Sequence, residues 1–203
     1  AFINNEDIHT STAARVFNID IDQVNEEQRR NAKIVNFGII YGVSAFGLSN
    51  QTNLTRGESK EIIDNYFKSY PKLKEYMSNQ ISFAREKGYV ETILKRKRYL
   101  PEINSRNAMI RSSAERNAIN TPVQGSAADI IKLAMIKIDS ELEKKSLKSK
   151  LLLQVHDELV FDVHLAELDI VKEIVSSNME NSIEIDIPLK VDIGHGDNWL
   201  VAH

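Results

Sequence analysis

From Arg106 to about Lys145, apolar residues recur at intervals of three and four, and one proline, Pro122, interrupts the run. That spacing is the signature of a helix with one apolar face. A proline within it removes a backbone donor and crowds the preceding turn, so two helices are expected, Arg106 to about Thr121 and Val123 to about Lys145, separated or kinked at Pro122. The same period marks residues 7–17. It also marks a helix after Asp22, read as its N-cap, that closes at Gly42 just past Tyr41. Within residues 55–88 two helices should meet near Pro71, because a proline disfavours helical geometry in the residue before it. The period then changes. "YVETIL" reads as a short strand followed by the basic "KRKRYLPEI", and "LLLQVHDELVFDV", residues 151–163, reads as an antiparallel hairpin with a polar centre. Residues 166–180 return to helix, and "IPLKVDIGHGDNW" supplies a last strand. A helix-rich first half followed by strands mixed with helices makes the fold class α+β.

The 203 residues are 42% hydrophobic, enough for a sizeable core in one or two domains. Twenty-six Lys and Arg against twenty-nine Asp and Glu give a net charge of -3, so there is no global basic field and a nucleic-acid site must be a local patch. The absence of cysteine excludes a disulfide framework and a thiolate metal site. It also fits a reducing compartment, with cytoplasm as the expectation. No apolar run approaches the roughly 18–20 residues that span a bilayer, so no membrane partner is expected. The chain starts without Met inside a helical pattern, as part of a longer protein would.

Two constellations carry chemistry. In "RRNAKIVNFGIIYG", Arg29, Lys33, Phe37 and Tyr41 follow one another at intervals of four. On a helix they form a slowly spiralling file about 18 Å long, the length of a nucleotide. Cations at one end can hold phosphates and flat rings at the other can pack on a sugar or base. The alternative is an ordinary amphipathic helix with solvated cations, whose aromatics join Ile34, Val35 and Ile39 in the core. In "VHDE", residues 155–158, the alternation of strand side chains aims His156 and Glu158 one way and Asp157 the other, unless the turn perturbs the pleat. Magnesium takes carboxylate and phosphate oxygens, which makes Asp157 the candidate metal ligand; the alternative is a solvated hairpin tip. A third stripe, Arg116, Asn120 and Gln124, places guanidinium and amide donors four apart, or else simply faces solvent.

Arg29, Lys33, Phe37 and Tyr41-Gly42 in that spacing, with "SAFGLSNQTNLTRGES", "NYFKSYP", "YVETIL", "AERNAINTPVQGSAADIIKLAM", "LQVHDELVFD" and "VDIGHGDNWLVAH", resemble the family A DNA polymerases of the bacterial DNA polymerase I type over nearly the whole chain. The resemblance implies fingers over residues 1–110 and the C-terminal part of a palm over 111–203. It implies DNA-directed DNA synthesis, adding deoxynucleotides to a primer 3′ end in replication and repair in a bacterial cytoplasm, with primer-template DNA and deoxynucleoside triphosphates as partners and two Mg2+ ions as cofactor.

Residue by residue, it gives Lys33 and Arg29 to the incoming triphosphate, with Lys33 also catalytic, His9 in "DIHTSTA" to a phosphate, and Phe37 to the sugar. Tyr41 and Gly42 would lie beside the nascent pair. Asp157 would be the catalytic metal ligand, Glu158 an accessory acid and His156 a contact to the primer end. The minor groove presents purine N3 and pyrimidine O2 acceptors in every base pair. Arg116, Asn120 and Gln124 would read it there, with Arg111 as a neighbouring contact, and "KRKR" (95–98) would touch phosphates. Phe37, lacking a tyrosine's hydroxyl, implies discrimination against dideoxynucleotides.

The sequence departs from the family pattern in two places. No stretch of these 203 residues resembles the "DYSQIELR" strand that carries the family's other essential aspartate, so turnover by this chain alone is expected to be negligible and an exposed strand edge allows a non-native dimer. Lys95 also stands where many members have glycine. Two other readings carry weight: a single-subunit RNA polymerase, which shares the Lys and Tyr-Gly spacing, and a non-catalytic nucleic-acid-binding module. Phe37 and "VQGSAADI" favour DNA over RNA, and the hairpin acids disfavour a pure binding module.

Overall fold

A computed structural model describes residues Ala1–Ala202; His203 lies outside the described residues. They divide into two compact units, Ala1–Gln124 and the residues from Gly125 onward. The division falls inside a helix.

The first unit begins with α1 (Ile8–Phe17), whose N-cap Asp7 accepts from the Thr10 amide, and continues into α2 (Glu26–Ile40). Asp22 is not the N-cap of α2: it sits in a 3₁₀ turn over Ile21–Gln23. Asn25 caps instead, because its side chain accepts from the Gln28 amide at 2.8 Å while the Gln28 side chain accepts from the Asn25 amide at 3.0 Å. This reciprocal box satisfies two otherwise orphaned donors, which an aspartate three residues upstream cannot reach. The other end closes as expected. Gly42 takes φ +71, the Val43 amide donates to Gly38 O at 2.8 Å and the Gly42 amide to Ile39 O at 2.9 Å. These two bonds form a Schellman closure.

After α3 (Ala45–Ser49), the helices α4 (Arg56–Ser69) and α5 (Pro71–Lys87) meet at Pro71, which occupies the first turn of α5, where its missing N–H costs nothing. Val16, Val35, Ile39, Leu48, Ile62 and Tyr66 form the core shared by these helices. Val35 and Ile39 are 1% and 2% exposed. Burying one such side chain stabilises by about 1.5–3 kcal/mol, so the two together fix the rotation of α2 about its axis.

The expected strand at Tyr89–Glu91 is β1, and it pairs antiparallel with β2 (Lys97–Tyr99). The sequence reading gave "KRKR" a phosphate contact and no secondary structure. All three β2 residues are exposed, so there is no apolar alternation to announce a strand. At the turn Lys95 adopts φ +63, and its amide donates to Thr92 O at 2.9 Å.

One helix, α6 (Ala108–Lys144), continues through Pro122; the expected separation into two helices does not occur. Groups from neighbouring elements attend the position. The Tyr76 hydroxyl donates to Ile119 O at 3.3 Å, and Arg98 Nη1 donates to Thr121 Oγ1 at 2.9 Å.

In the second unit the distal half of α6 contributes Ala134, Ile138 and Leu142 to a core with Val171, Ile174 and Val175 of α7 (Leu168–Glu180). The hairpin pairs β3 (Lys150–Val155) with β4 (Glu158–Asp162), with an irregularity between Leu151 and Leu153. Leu152 and Leu153 stay 57% and 48% exposed. The last strand expected in "IPLKVDIGHGDNW" does not form; the segment has no regular structure before a short helix α8 (Trp199–Ala202). A strand exists only through a neighbour's backbone, and among the described residues every ladder belongs to β1–β2 or β3–β4. The α+β class holds, with the strands confined to these two ribbons.

Two substitutions at left-handed positions should move stability in opposite directions. An added Cβ at Gly42 would lie 3.0 Å from Arg116 Cγ as well as straining φ, so Gly42→Ala should cost about 1–2 kcal/mol or more. Lys95→Gly removes the same kind of strain from a solvated turn and should gain up to about 1 kcal/mol. Urea denaturation of each variant beside the wild type measures both.

Candidate nucleotide and DNA site

With Val35 and Ile39 turned inward, the opposite side of α2 carries Arg29, Lys33, Phe37 and Tyr41, all exposed. Phe37 and Tyr41 are 51% and 50% exposed, so the alternative in which they fill the core does not hold. Large rings left this open are unusual on a helix whose other face is well packed.

Arg29 is engaged rather than free. Its Nη2 donates to Asp7 Oδ2 at 2.7 Å and its Nε to Asp7 Oδ1 at 3.3 Å. Asp7 also accepts from the Thr10 amide at 2.7 Å and the Thr10 hydroxyl at 3.0 Å. The hydrogen bond from Arg29, followed by that from the Thr10 amide, holds the Asp7 carboxyl well below the usual carboxylate range. His9 lies in the first turn of α1. Its ring centroid is 5.8 Å from that of Phe37, and Asn36 Nδ2 stands 3.0 Å from its Nδ1. Burial pushes the His9 imidazole down from its ordinary value, an effect opposed by Asp7 and reinforced by Arg29 and Lys33. His9, on a different segment from the α2 file in the sequence reading, thus lies with Arg29, Lys33 and Phe37 along one α1–α2 junction.

The far end of the file meets the α6 stripe. Gln124 Nε2 donates to the Tyr41 hydroxyl at 3.2 Å, and the Arg116 side chain lies against Gly42. Arg116 itself donates to Ser112 Oγ at 3.1 Å. Asn120 is half-buried, and its Oδ1 is buried without a hydrogen-bond partner. Arg111 is turned back onto its own helix start, donating to Ser105 O at 2.9 Å and standing 3.9 Å from Glu115. It is therefore tied to local partners, as Arg116 is to Ser112.

In the second unit the β3–β4 register pairs Val155 with Glu158, leaving His156 and Asp157 as the two turn residues. The alternation expected across "HDE" therefore fails at its first two positions, because pleating does not extend into a two-residue turn. His156 takes φ +54, uncommon for a side-chain-bearing residue, and its carbonyl accepts from Gln154 Nε2 at 2.9 Å. Asp157 is exposed at the tip and Glu158 half-buried at its foot. Among the described residues no group of three His, Cys, Asp or Glu could enclose a metal ion. The oxygens of Asp157 suit a hard cation, but as one ligand of a larger set. Also among the described residues, no helix is long and apolar enough to cross a membrane.

The profile of DNA polymerase family A matches residues 1–201, and the chain belongs to that family. It is 52% identical over 199 residues to a DNA polymerase I from Caldicellulosiruptor bescii, covering 98% of this chain and 23% of that protein. The DNA polymerase I of Lactococcus lactis subsp. lactis is 53% identical and that of Bacillus subtilis 51%, each over 100% of this chain and 23% of the relative. The chain thus spans under a quarter of the length of these relatives. Among solved structures it is similar to the POL domain of Pol1 from M. smegmatis in complex with DNA primer-template and dNTP, with a TM-score of 0.95 and 42% identity, covering 100% of this chain and 36% of that one.

Two residues escaped the sequence reading, Asp7 and Asn36. Asp7 was findable, since an aspartate three residues before Thr10 is an N-cap pattern. Asn36 lies off the four-spaced file and carries no signal in spacing. The Asp7 carboxylate titrates lower in the folded than in the unfolded chain, so its contribution to stability is present above the ordinary value of 3.8 and fades as pH falls below it. Asp7→Asn keeps a capping side chain but loses the ion pair. Its stability deficit in urea titrations should be small at neutral pH, shrink with added salt and close in acid.

Proposed function

We propose that this chain supplies the fingers and the C-terminal part of the palm of a DNA-directed DNA polymerase, a nucleotidyltransferase of bacterial cytoplasm that extends primers during replication and repair. The observation that carries the reading is the exposed file Arg29–Lys33–Phe37–Tyr41, with His9 flanking its cationic end and Gln124 bonded to its last ring. A structural relative was solved with DNA primer-template and dNTP, and those ligand classes fit this file. Arg29 and Lys33 bind the triphosphate, and Lys33, a compact cation, also neutralises charge that develops on the leaving pyrophosphate. His9 adds a single donor to a phosphate. Phe37 packs on the sugar, excluding water and leaving no hydroxyl to stand in for a missing 3′-OH. Tyr41 and Gly42 lie beside the nascent pair, while Arg116, Asn120 and Gln124 offer donors to minor-groove acceptors common to all pairs. Arg111 and the "KRKR" strand contact the backbone, and His156 the primer end.

Asp157 would hold magnesium together with ligands from outside this chain, with Glu158 assisting. When bound, two such ions lower the charge on attacking and leaving oxygens. One carboxylate is half of that arrangement, so the 203 residues alone should not extend a primer, and their open β3 edge can support a non-native dimer of the isolated chain.

Primer extension by the intact polymerase tests the assignment. Lys33→Ala should raise KM for the nucleotide and lower kcat/KM by about a hundredfold or more, a loss on the scale of one transition-state donor. Asp157→Asn should abolish turnover while leaving primer-template binding within about twofold, as expected for a residue acting in chemistry rather than affinity. Near-normal kcat/KM in both variants would remove the polymerase reading of these positions. In the same assay Phe37→Tyr should raise dideoxynucleotide incorporation relative to deoxynucleotide; equal use before and after the change defeats the role given to Phe37.

A further inference from the structure

A hydrogen-bond relay runs beneath the cationic end of the α2 file. The Tyr70 and Thr12 hydroxyls are 3.3 Å apart, Thr12 Oγ1 donates to Asn36 Oδ1 at 3.2 Å, and Asn36 Nδ2 stands 3.0 Å from His9 Nδ1. Thr12 is 1% exposed, so its hydroxyl is shut off from water and bonds to neighbouring side chains. Once the Asn36 oxygen is committed to Thr12, its amide nitrogen faces the imidazole, and an amide nitrogen only donates. Nδ1 must then be the unprotonated nitrogen, and the ring proton resides on Nε2.

From this geometry we infer that Asn36 is a positioning residue for nucleotide binding, which holds His9 neutral in its Nε2–H tautomer so that it presents one fixed donor to a phosphate. The proposal rests on the reading of His9 as a phosphate contact. Its physical logic lies in the neighbours. Arg29 and Lys33 on α2 already bring two positive charges towards His9, with Asp7 at the head of α1 as the opposing negative one. A third cation would add repulsion to the empty site, whereas a neutral donor adds a hydrogen bond without it. Protonating Nδ1 would set an N–H against the Asn36 amide, or require the amide to flip and abandon Thr12. The relay therefore opposes the charged form in the same direction as burial does. Only the structure brings the pair together: Asn36 and His9 are 27 positions apart in sequence.

The test uses the intact polymerase, with kcat and KM for the complementary deoxynucleoside triphosphate measured from about pH 6 to 9, the range in which imidazoles titrate. Asn36→Leu should raise KM about tenfold with kcat changed by less than about threefold, the scale of one misplaced hydrogen bond. That effect should vanish in a His9→Ala background, since a residue acting only through His9 has nothing left to position. Asn36→Asp, nearly isosteric, puts an acceptor at Nδ1 and stabilises imidazolium. It should give a KM that rises as pH passes upward through neutrality, where the wild-type KM is flat. If Asn36→Leu costs as much without His9 as with it, or Asn36→Asp leaves the profile flat, the positioning role is overturned while the nucleotide site stands. If His9→Ala leaves KM unchanged, the phosphate contact itself is wrong and the inference falls with it.

Discussion

The burial of Val35 and Ile39 against Val16, Leu48, Ile62 and Tyr66 is the constraint from which the site follows. A helix is free to turn about its axis until its apolar face is committed, and with these two side chains almost fully enclosed α2 has one orientation left. Arg29, Lys33, Phe37 and Tyr41 are then held outward by packing on the far side, at no cost in specific contacts of their own. The reciprocal Asn25–Gln28 box fixes where the helix begins and the Gly42 closure fixes where it ends, so the file has a defined length as well as a defined direction.

A stripe held in this way still needs its side chains oriented, and the two ends solve the problem differently. At the cationic end, the bidentate Asp7–Arg29 contact and the Asn36–His9 contact tie α2 side chains to the start of α1. The Arg29 fork is therefore already occupied, and a phosphate bound there, as proposed, would have to share it with the Asp7 carboxylate or displace it. Exposed pairs of this kind are weak in stability terms, which suits a contact that ligand has to remodel. At the aromatic end, Gln124 on the Tyr41 hydroxyl and Arg116 against Gly42 couple α2 to the first half of α6. The absence of a Cβ at Gly42 is what allows that approach.

The carboxylate turn follows the same economy of means. Val155 and Glu158 are the last paired residues, so the ladder itself presents Asp157 at an exposed tip, with His156 in an uncommon backbone conformation beside it. Strain concentrated at a turn that carries an acid and a histidine is where a functional constraint on backbone shape would show.

Sequence alone determined the helical segments, the hairpin, the α+β class and the family, because periods of 3.6 and 2 and well-spaced motifs are local properties of the chain. It also determined which residues stand in file on α2. It erred at Asp22, which lost the cap to the neighbouring Asn25–Gln28 box, at Pro122, through which α6 continues, and at "IPLKVDIGHGDNW", which found no neighbour to pair with. It missed β2, whose three exposed residues lack the alternation that reveals a strand. Only tertiary structure decided that the rings of α2 stay outside the core, that Asp7 holds Arg29 and that Asn36 faces His9. Those facts depend on how helices far apart in the chain pack, and side-chain spacing along one helix carries no information about what lies across from it.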